Sequence, residues 1–347
     1  NQRTMMINDP SASAATSPFH AGEQQMQTGT GRRAAIEAFG RRAIRPHMPE
    51  QHQTFFGQQP FLVLGSVDRQ RRPWASLIAG QAGFIRVPDA STLIIKAALP
   101  ASSPLGDALF AGASLGVLGI DLGTRRRNRV NGRITTIDDT GLTMAVDQSF
   151  GNCPQYIQRR TVVFDPASAG QSAPQQPARL TTLDAQACAM IAAADTCFVA
   201  SYISTDKTGD AVDVSHRGGR PGFIKISGNT LTIPDYAGNR YFNTLGNFVL
   251  NPKAGLLFID FTTGDLLMLT GTVALLESDH PEVQGFQGAE RAWRFVFEAG
   301  IRQPQGVPFR AEFIDYSPTL SKTGAWPAPE PAGASATEPS GVRRQSG

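Results

Sequence analysis

Cysteine is scarce in this 347-residue chain: Cys153, Cys188 and Cys197 are odd in number and show no C-x-x-C spacing. That pattern argues against a disulfide framework or a zinc site and predicts a reducing, cytoplasmic setting with no metal ligands. Excess charge is also lacking. With 32 Lys+Arg against 29 Asp+Glu, the net charge is +3, too little to mark a nucleic-acid-binding face. No apolar run approaches the roughly 20 residues of a membrane helix, and the first thirty residues lack the basic, apolar, small-residue order of a secretory signal. Nor does a G-x-G-x-x-G stretch follow a strand, which disfavours a separate dinucleotide domain.

What is present is an ordinary globular composition, 41% hydrophobic and 18% charged, with ample material for a core. Polar, low-complexity stretches break it into parts. The spacing predicts disordered ends at 1–30 and 327–347, a linker at 165–179, and folded units at 31–164 and 180–326.

The two units repeat one another. Gly83-Phe84 recurs as Gly222-Phe223, "GVLGID" at 116–121 recurs as "GLLFID" at 255–260, and Gly132 recurs as Gly271. All three pairs share an offset of 139, which points to internal duplication. Upstream, Phe61 pairs with Phe198 at an offset of 137. Each unit reads as a helix, six short strands parted by Gly, Asp and Pro turns, and a small helix before the fifth strand. Thr182 stands ready to cap the helix of the second unit, and Asp184 suits its dipole. The segment "GAERAWRF" reads as a late helix. The expected fold is mainly β with peripheral α, in two small antiparallel barrels.

The runs "IRPHMPEQH", "TRRRNRVNGR", "SFGNCPQYI", "SHRGGRPGFI" and "GNRYFNTLGN" carry a likeness. In combination they resemble the pyridoxamine 5′-phosphate oxidase-related family of FMN-binding split barrels, and more narrowly its tandem-barrel bacterial members. The resemblance covers residues 18–325 and implies two tandem split β-barrels with FMN held between them. It places Asn239, Arg240, Asn243 and Thr244 at the FMN phosphate, and Ser215, His216, Arg217 and Gly218 along the ring or ribityl side. It also has Arg127 and Arg129 reach in from the first unit towards the flavin.

The chemistry suits those places, because a guanidinium forks onto phosphate while amides and helix N–H groups satisfy the remaining oxygens. The first unit has "ASSPLGDALF" where the second has "GNRYFNTLGN", so it lacks a phosphate loop. The second unit has the apolar "DLLMLTG" where the first has its basic strand. One composite site follows from these complementary losses. On a strand, Arg127 and Arg129 share a face.

The implied activity is that of an FMN-dependent oxidoreductase, with NAD(P)H or a partner reductase as electron donor and no nucleic-acid or membrane partner. Dimerisation of the whole chain stays open. Two other readings also stand: a haem or tetrapyrrole binder using one of the five histidines, and a non-catalytic flavin-binding module. Cys153 has no His or Asp in a recognised spacing and reads as structural or flavin-proximal.

Overall fold

The computed structural model describes residues 17–97, 105–164, 176–205 and 209–326. Three helices come first, α1 (Ala21–Thr28), α2 (Arg33–Ala43) and α3 (Glu50–Gly57). Then come strands β1 (Phe61–Val67), β2 (Pro73–Ala79), β3 (Ile85–Asp89) and β4 (Thr92–Ile95), and a short helix, α4 (Leu105–Ala108). Strands β5 (Ser114–Asp121), β6 (Arg126–Asp138) and β7 (Gly141–Asn152) complete an antiparallel sheet of order β2-β1-β5-β6-β7-β4-β3.

Strand β8 (Arg159–Phe164) leaves this sheet, and β9 (Ala178–Leu180) and α5 (Ala185–Ala193) lead into the second. The second unit runs β10 (Thr196–Thr205), β11 (Gly209–Gly218), β12 (Lys225–Ser227), β13 (Thr230–Tyr236), α6 (Asn243–Leu250), β14 (Lys253–Ile259), β15 (Leu266–Leu276), α7 (Pro281–Gln284) and β16 (Ala289–Gln303), its strands forming the second sheet. Strand β17 (Phe309–Asp315) pairs back to β8.

The chain is mainly β. The second sheet runs β11-β10-β14-β15-β16-β13-β12, so strand for strand it has the order of the first. Agreement extends to the register. Leu115 faces Gly132 across β5 and β6, and Ala254 faces Gly271 across β14 and β15. On the other side of those long strands, both ladders slip at the same place, at Asn131/Gly132 and at Thr270/Gly271.

Several expectations need correction. Each sheet has seven principal strands rather than six, because β7 and β16 belong to them. Segment 289–303, which contains "AERAWRF", is strand β16, with Trp293 buried at its centre rather than on a helix. Trp and Phe residues are rich in β-propensity, and burial between β13 and β15 outweighs the helical spacing. The first-strand offset is 135: Val63 pairs with Leu118 as Phe198 pairs with Leu257, so the loop after the first strand differs by four residues.

Residues 17–30 are ordered and form α1, whereas 1–16 lie outside the described residues. So do 165–175 of the expected linker and the whole of 327–347, while Ala178–Leu180 pairs with β16.

Asp184, not Thr182, caps α5. Its carboxylate accepts from Ala187 N at 2.8 Å and from Arg302 at 2.8 Å, while the Thr182 hydroxyl is turned to Asn229. Asp184→Ala is therefore expected to cost about 1–2 kcal/mol, read as a fall in thermal midpoint, and Thr182→Ala clearly less.

The two sheets meet face to face through equivalent elements. A Cβ on Gly116 would come within 2.9 Å of the Val212 carbonyl of β11, and one on Gly255 within 2.5 Å of the Pro73 carbonyl of β2. These two glycines are 139 apart. Only glycine permits so close an approach of backbones, so each unit presents its fifth strand to the second strand of the other.

Candidate functional site

A cleft opens where β6 of the first sheet faces β11 of the second, roofed by the 237–245 loop and the start of α6. The ten residues expected at a site, Arg127, Arg129, Ser215, His216, Arg217, Gly218, Asn239, Arg240, Asn243 and Thr244, all line it. Arg127 and Arg129 point to this side of β6. Arg126 points away, its guanidinium 4.8 Å over the ring of Phe55.

Local structure sets their roles apart. Asn243 is the first residue of α6, and both ends of its amide are engaged: the oxygen accepts from Arg129 at 3.0 Å and the nitrogen donates to Glu23. Thr244 and Ser215 share a hydroxyl–hydroxyl bond of 2.5 Å. The Asn239 carboxamide closes its own turn by accepting from Tyr241 N. The Arg240 guanidinium lies at 2.9 Å from Glu290. These side chains therefore brace one another, and the loop offers a ligand chiefly the first N–H groups of α6, which have no intrahelical partner.

The cations that remain stand deeper. Arg127 donates to the Cys153 carbonyl at 2.7 Å and to His216 Nδ1 at 3.0 Å, and among the described residues it has no carboxylate partner. Because arginine can only donate, Nδ1 of His216 accepts and the ring proton sits on Nε2. Burial, followed by the charges of Arg127, Arg217 and Arg160, holds this imidazole neutral, well below its usual range. Burial also pulls the Arg127 guanidinium down from its ordinary value, and Arg129 and Arg217 add to the fall. Arg129 meets Asp213 at 3.1 Å, and Arg217 only approaches Asp235, at 3.7 Å.

Three buried donors on the lining, His216 Nε2, Arg129 Nε and Arg217 Nε, have no hydrogen-bond partner among the described residues. Leaving such groups unpaired costs about 1–3 kcal/mol each. An acceptor-rich, anionic guest would satisfy them. Five guanidiniums (127, 129, 217, 240 and 291) stand against three carboxylates (Asp213, Asp235 and Glu290), leaving two positive charges.

Several of these residues were not foreseen. Asp235 and Arg291 on the lining, with Asp213 and Glu290 behind it as partners of Arg129 and Arg240, complete the charge pattern, and Tyr156, Tyr236 and Phe242 supply aromatic walls. The repeat offset could have found Asp213, since its counterpart is the apolar Trp74. Among the described residues, six non-glycine positions have left-handed backbone, and three of them, Tyr156 (φ 66), Arg240 (φ 60) and Phe242 (φ 61), line the cleft. Strain of this kind, about 1–3 kcal/mol per residue, gathers where a site is held in a set shape.

The equivalent place on the other side of the interface is filled. There Leu266, Met268 and Trp74 occupy the positions of Arg127, Arg129 and Asp213, and all are buried in one apolar cluster with Leu77, the counterpart of His216. The interface thus carries one polar cleft and one apolar plug.

No family model matches the chain, and no curated protein matches it. Among solved structures, an alanine variant of HupZ from Group A Streptococcus is 12% identical over 30% of this chain and 98% of its own, with a TM-score of 0.24. The Bacillus subtilis inhibitor of motility MotI/DgrA is 9% identical over 70% and 88%, with a TM-score of 0.19. A MrkH–c-di-GMP complex of K. pneumonia is 10% identical over 77% and 84%, also at 0.19. Likenesses this slight carry no argument.

Proposed function

We propose that the cleft binds one FMN and that the chain is an FMN-dependent oxidoreductase akin to the pyridoxamine 5′-phosphate oxidase-related proteins. On this reading the two sheets are split barrels descended from one duplicated unit. The observation that carries it is the charge of the cleft as a whole: its two surplus positive charges match a phosphate monoester dianion, and among the described residues its deepest guanidinium, Arg127, has no carboxylate partner and is left to a second, acceptor-bearing part of the guest. Bound there, the flavin would supply hydride and electron transfer, with NAD(P)H or a partner reductase as donor.

The chain's own part is to hold and to shield. The α6 amides and Arg217 suit the phosphate, Tyr156 and Tyr236 wall the cleft, and Arg127 with His216 Nε2–H offers donors to a ring edge. Haem is the weaker reading, because a metal bond at His216 requires the Nε2 proton to leave while Arg127 still occupies Nδ1.

Titration of purified protein with FMN, followed by flavin fluorescence, tests the proposal. One FMN per chain is expected. Arg217→Ala should weaken binding roughly ten- to a hundredfold, for loss of about 1.5–3 kcal/mol. Arg240→Ala should do less, because Glu290 already engages that side chain and keeps Arg291 when it is lost. Absence of saturable binding would overturn the reading. Bleaching of the bound flavin by NADH or NADPH would separate an oxidoreductase from a non-catalytic module.

A further inference from the structure

Helix α1 presses on α6 through two glycines. A Cβ on Gly22 would fall 2.1 Å from the Gly246 carbonyl oxygen, and one on Gly246 would fall 2.6 Å from Glu23 N. The contact buries Glu23 to 3% exposure beside the first turn of α6. One carboxyl oxygen accepts from Asn243 Nδ2, and the other accepts from His20 N at 2.9 Å. The other end of the Asn243 amide accepts from Arg129 Nη1, which also meets Asp213 Oδ1. A single amide therefore links a buried carboxyl to a cation of the cleft.

Few charges face Glu23. Asp213 comes from β11 and Arg129 from β6, while α6 contributes the uncharged Asn243 and Asn247. At the N-cap of α1, His20 Nδ1 accepts from Gly22 N, and Nε2 donates to Asn247 at 2.9 Å, so the imidazole is neutral. Beside Glu23 itself Arg129 is set against two carboxylates, so an anion bound nearby adds to the repulsion that a charged Glu23 would meet.

We propose that Glu23 takes up a proton from solvent when a phosphate-bearing ligand enters the cleft, and that it acts as a positioning residue through Asn243 and Arg129. The proposal rests on the FMN reading. Burial, then the charge of Asp213, pushes the Glu23 carboxyl up to about 8, so the proton is half-held near that pH in the empty cleft. A dianion nearby raises the carboxyl further. The bound form then holds the proton more tightly, and affinity falls as pH rises past 8, by at most tenfold per pH unit.

Calorimetric titration of the full chain with FMN, between pH 7 and 9 in buffers of different ionisation enthalpy, tests this. The phosphate of FMN, with a second pKa of about 6, is already ionised over that range. Expected are uptake of up to about half a proton per FMN at pH 8 and a three- to tenfold loss of affinity by pH 9. At pH 8 both should be largely lost in Glu23→Gln, leaving only the small share of Arg127, whose guanidinium burial pulls down to about 9. In the parent alone, FMN should also strengthen the infrared C=O band of a protonated carboxyl at pH 8. FMN binding without proton uptake, or uptake that persists undiminished in Glu23→Gln, would overturn the proposal and leave the FMN reading standing. Failure of the parent to bind FMN would overturn both.

Discussion

At pH 9, Glu23→Gln should be more stable than the parent by about 2–3 kcal/mol, and near pH 4 the order should reverse. In the folded chain the carboxyl sits at about 8 against an ordinary 4.5, because burial and then Asp213 disfavour its charged form. A folded-state pKa above the unfolded one means that the native state binds more protons, so parent stability falls as pH climbs from about 4.5 to about 8. At 1.4 kcal/mol per unit, that window is worth roughly 4–5 kcal/mol. Glutamine has the shape of the protonated acid and does not titrate. It does turn an amino group towards either Asn243 Nδ2 or His20 N, both of which need an acceptor, at a cost of about 1–2 kcal/mol. Paired urea titrations at pH 4, 7 and 9 read both terms. A stability difference that is the same at all three would show that folding leaves the Glu23 carboxyl at its ordinary value.

Glu23 also marks where the sequence stopped being informative. Segment 17–28 belongs to a stretch, 1–30, that is rich in Ser, Gln, Thr and Ala, and with Phe19 and Met26 as its large apolar residues it has little apolar periodicity, so composition predicts disorder. Its helix is held instead by polar burial, with Glu23 and Gln27 both enclosed, and by a glycine contact with residues more than 220 positions away. Such contacts have no local signature. The repeat, in contrast, was legible from Gly83 onward because turns and bulges must fall at fixed places in a ladder. Gly83 and Gly222 both adopt left-handed backbone, at φ 88 and 84, and Gly132 and Gly271 both sit at the register slip.

Within the candidate site, residue types and strand faces were readable while partner choice was not. Arg240 looked free in the sequence, and Glu290, fifty positions later, engages it. Arg127 looked like one of a run, and it is the member of that run in the cleft that has no carboxylate partner among the described residues.

That asymmetry sets up the second large effect, a pair of reciprocal substitutions 139 residues apart. Arg127→Leu should raise the stability of the ligand-free protein while weakening FMN binding at least a hundredfold. A buried guanidinium that Arg129 and Arg217 repel contributes little to folding, and leucine is what the equivalent position 266 already uses. Removal leaves the Cys153 carbonyl and His216 Nδ1 short of a donor, so the gain should stay near 1 kcal/mol. Leu266→Arg should do the opposite. It places an unpartnered cation in a cluster with Trp74, Met268 and Phe309, where no carboxylate stands in the place of Asp213, and should cost 4 kcal/mol or more. FMN affinity per folded molecule should survive, since the cleft is untouched. Chemical denaturation and flavin titration on the two variants separate the two quantities. A stability loss in Arg127→Leu comparable to that in Leu266→Arg would mean that the guanidinium is a structural strut, and that the cleft was not shaped around an anion.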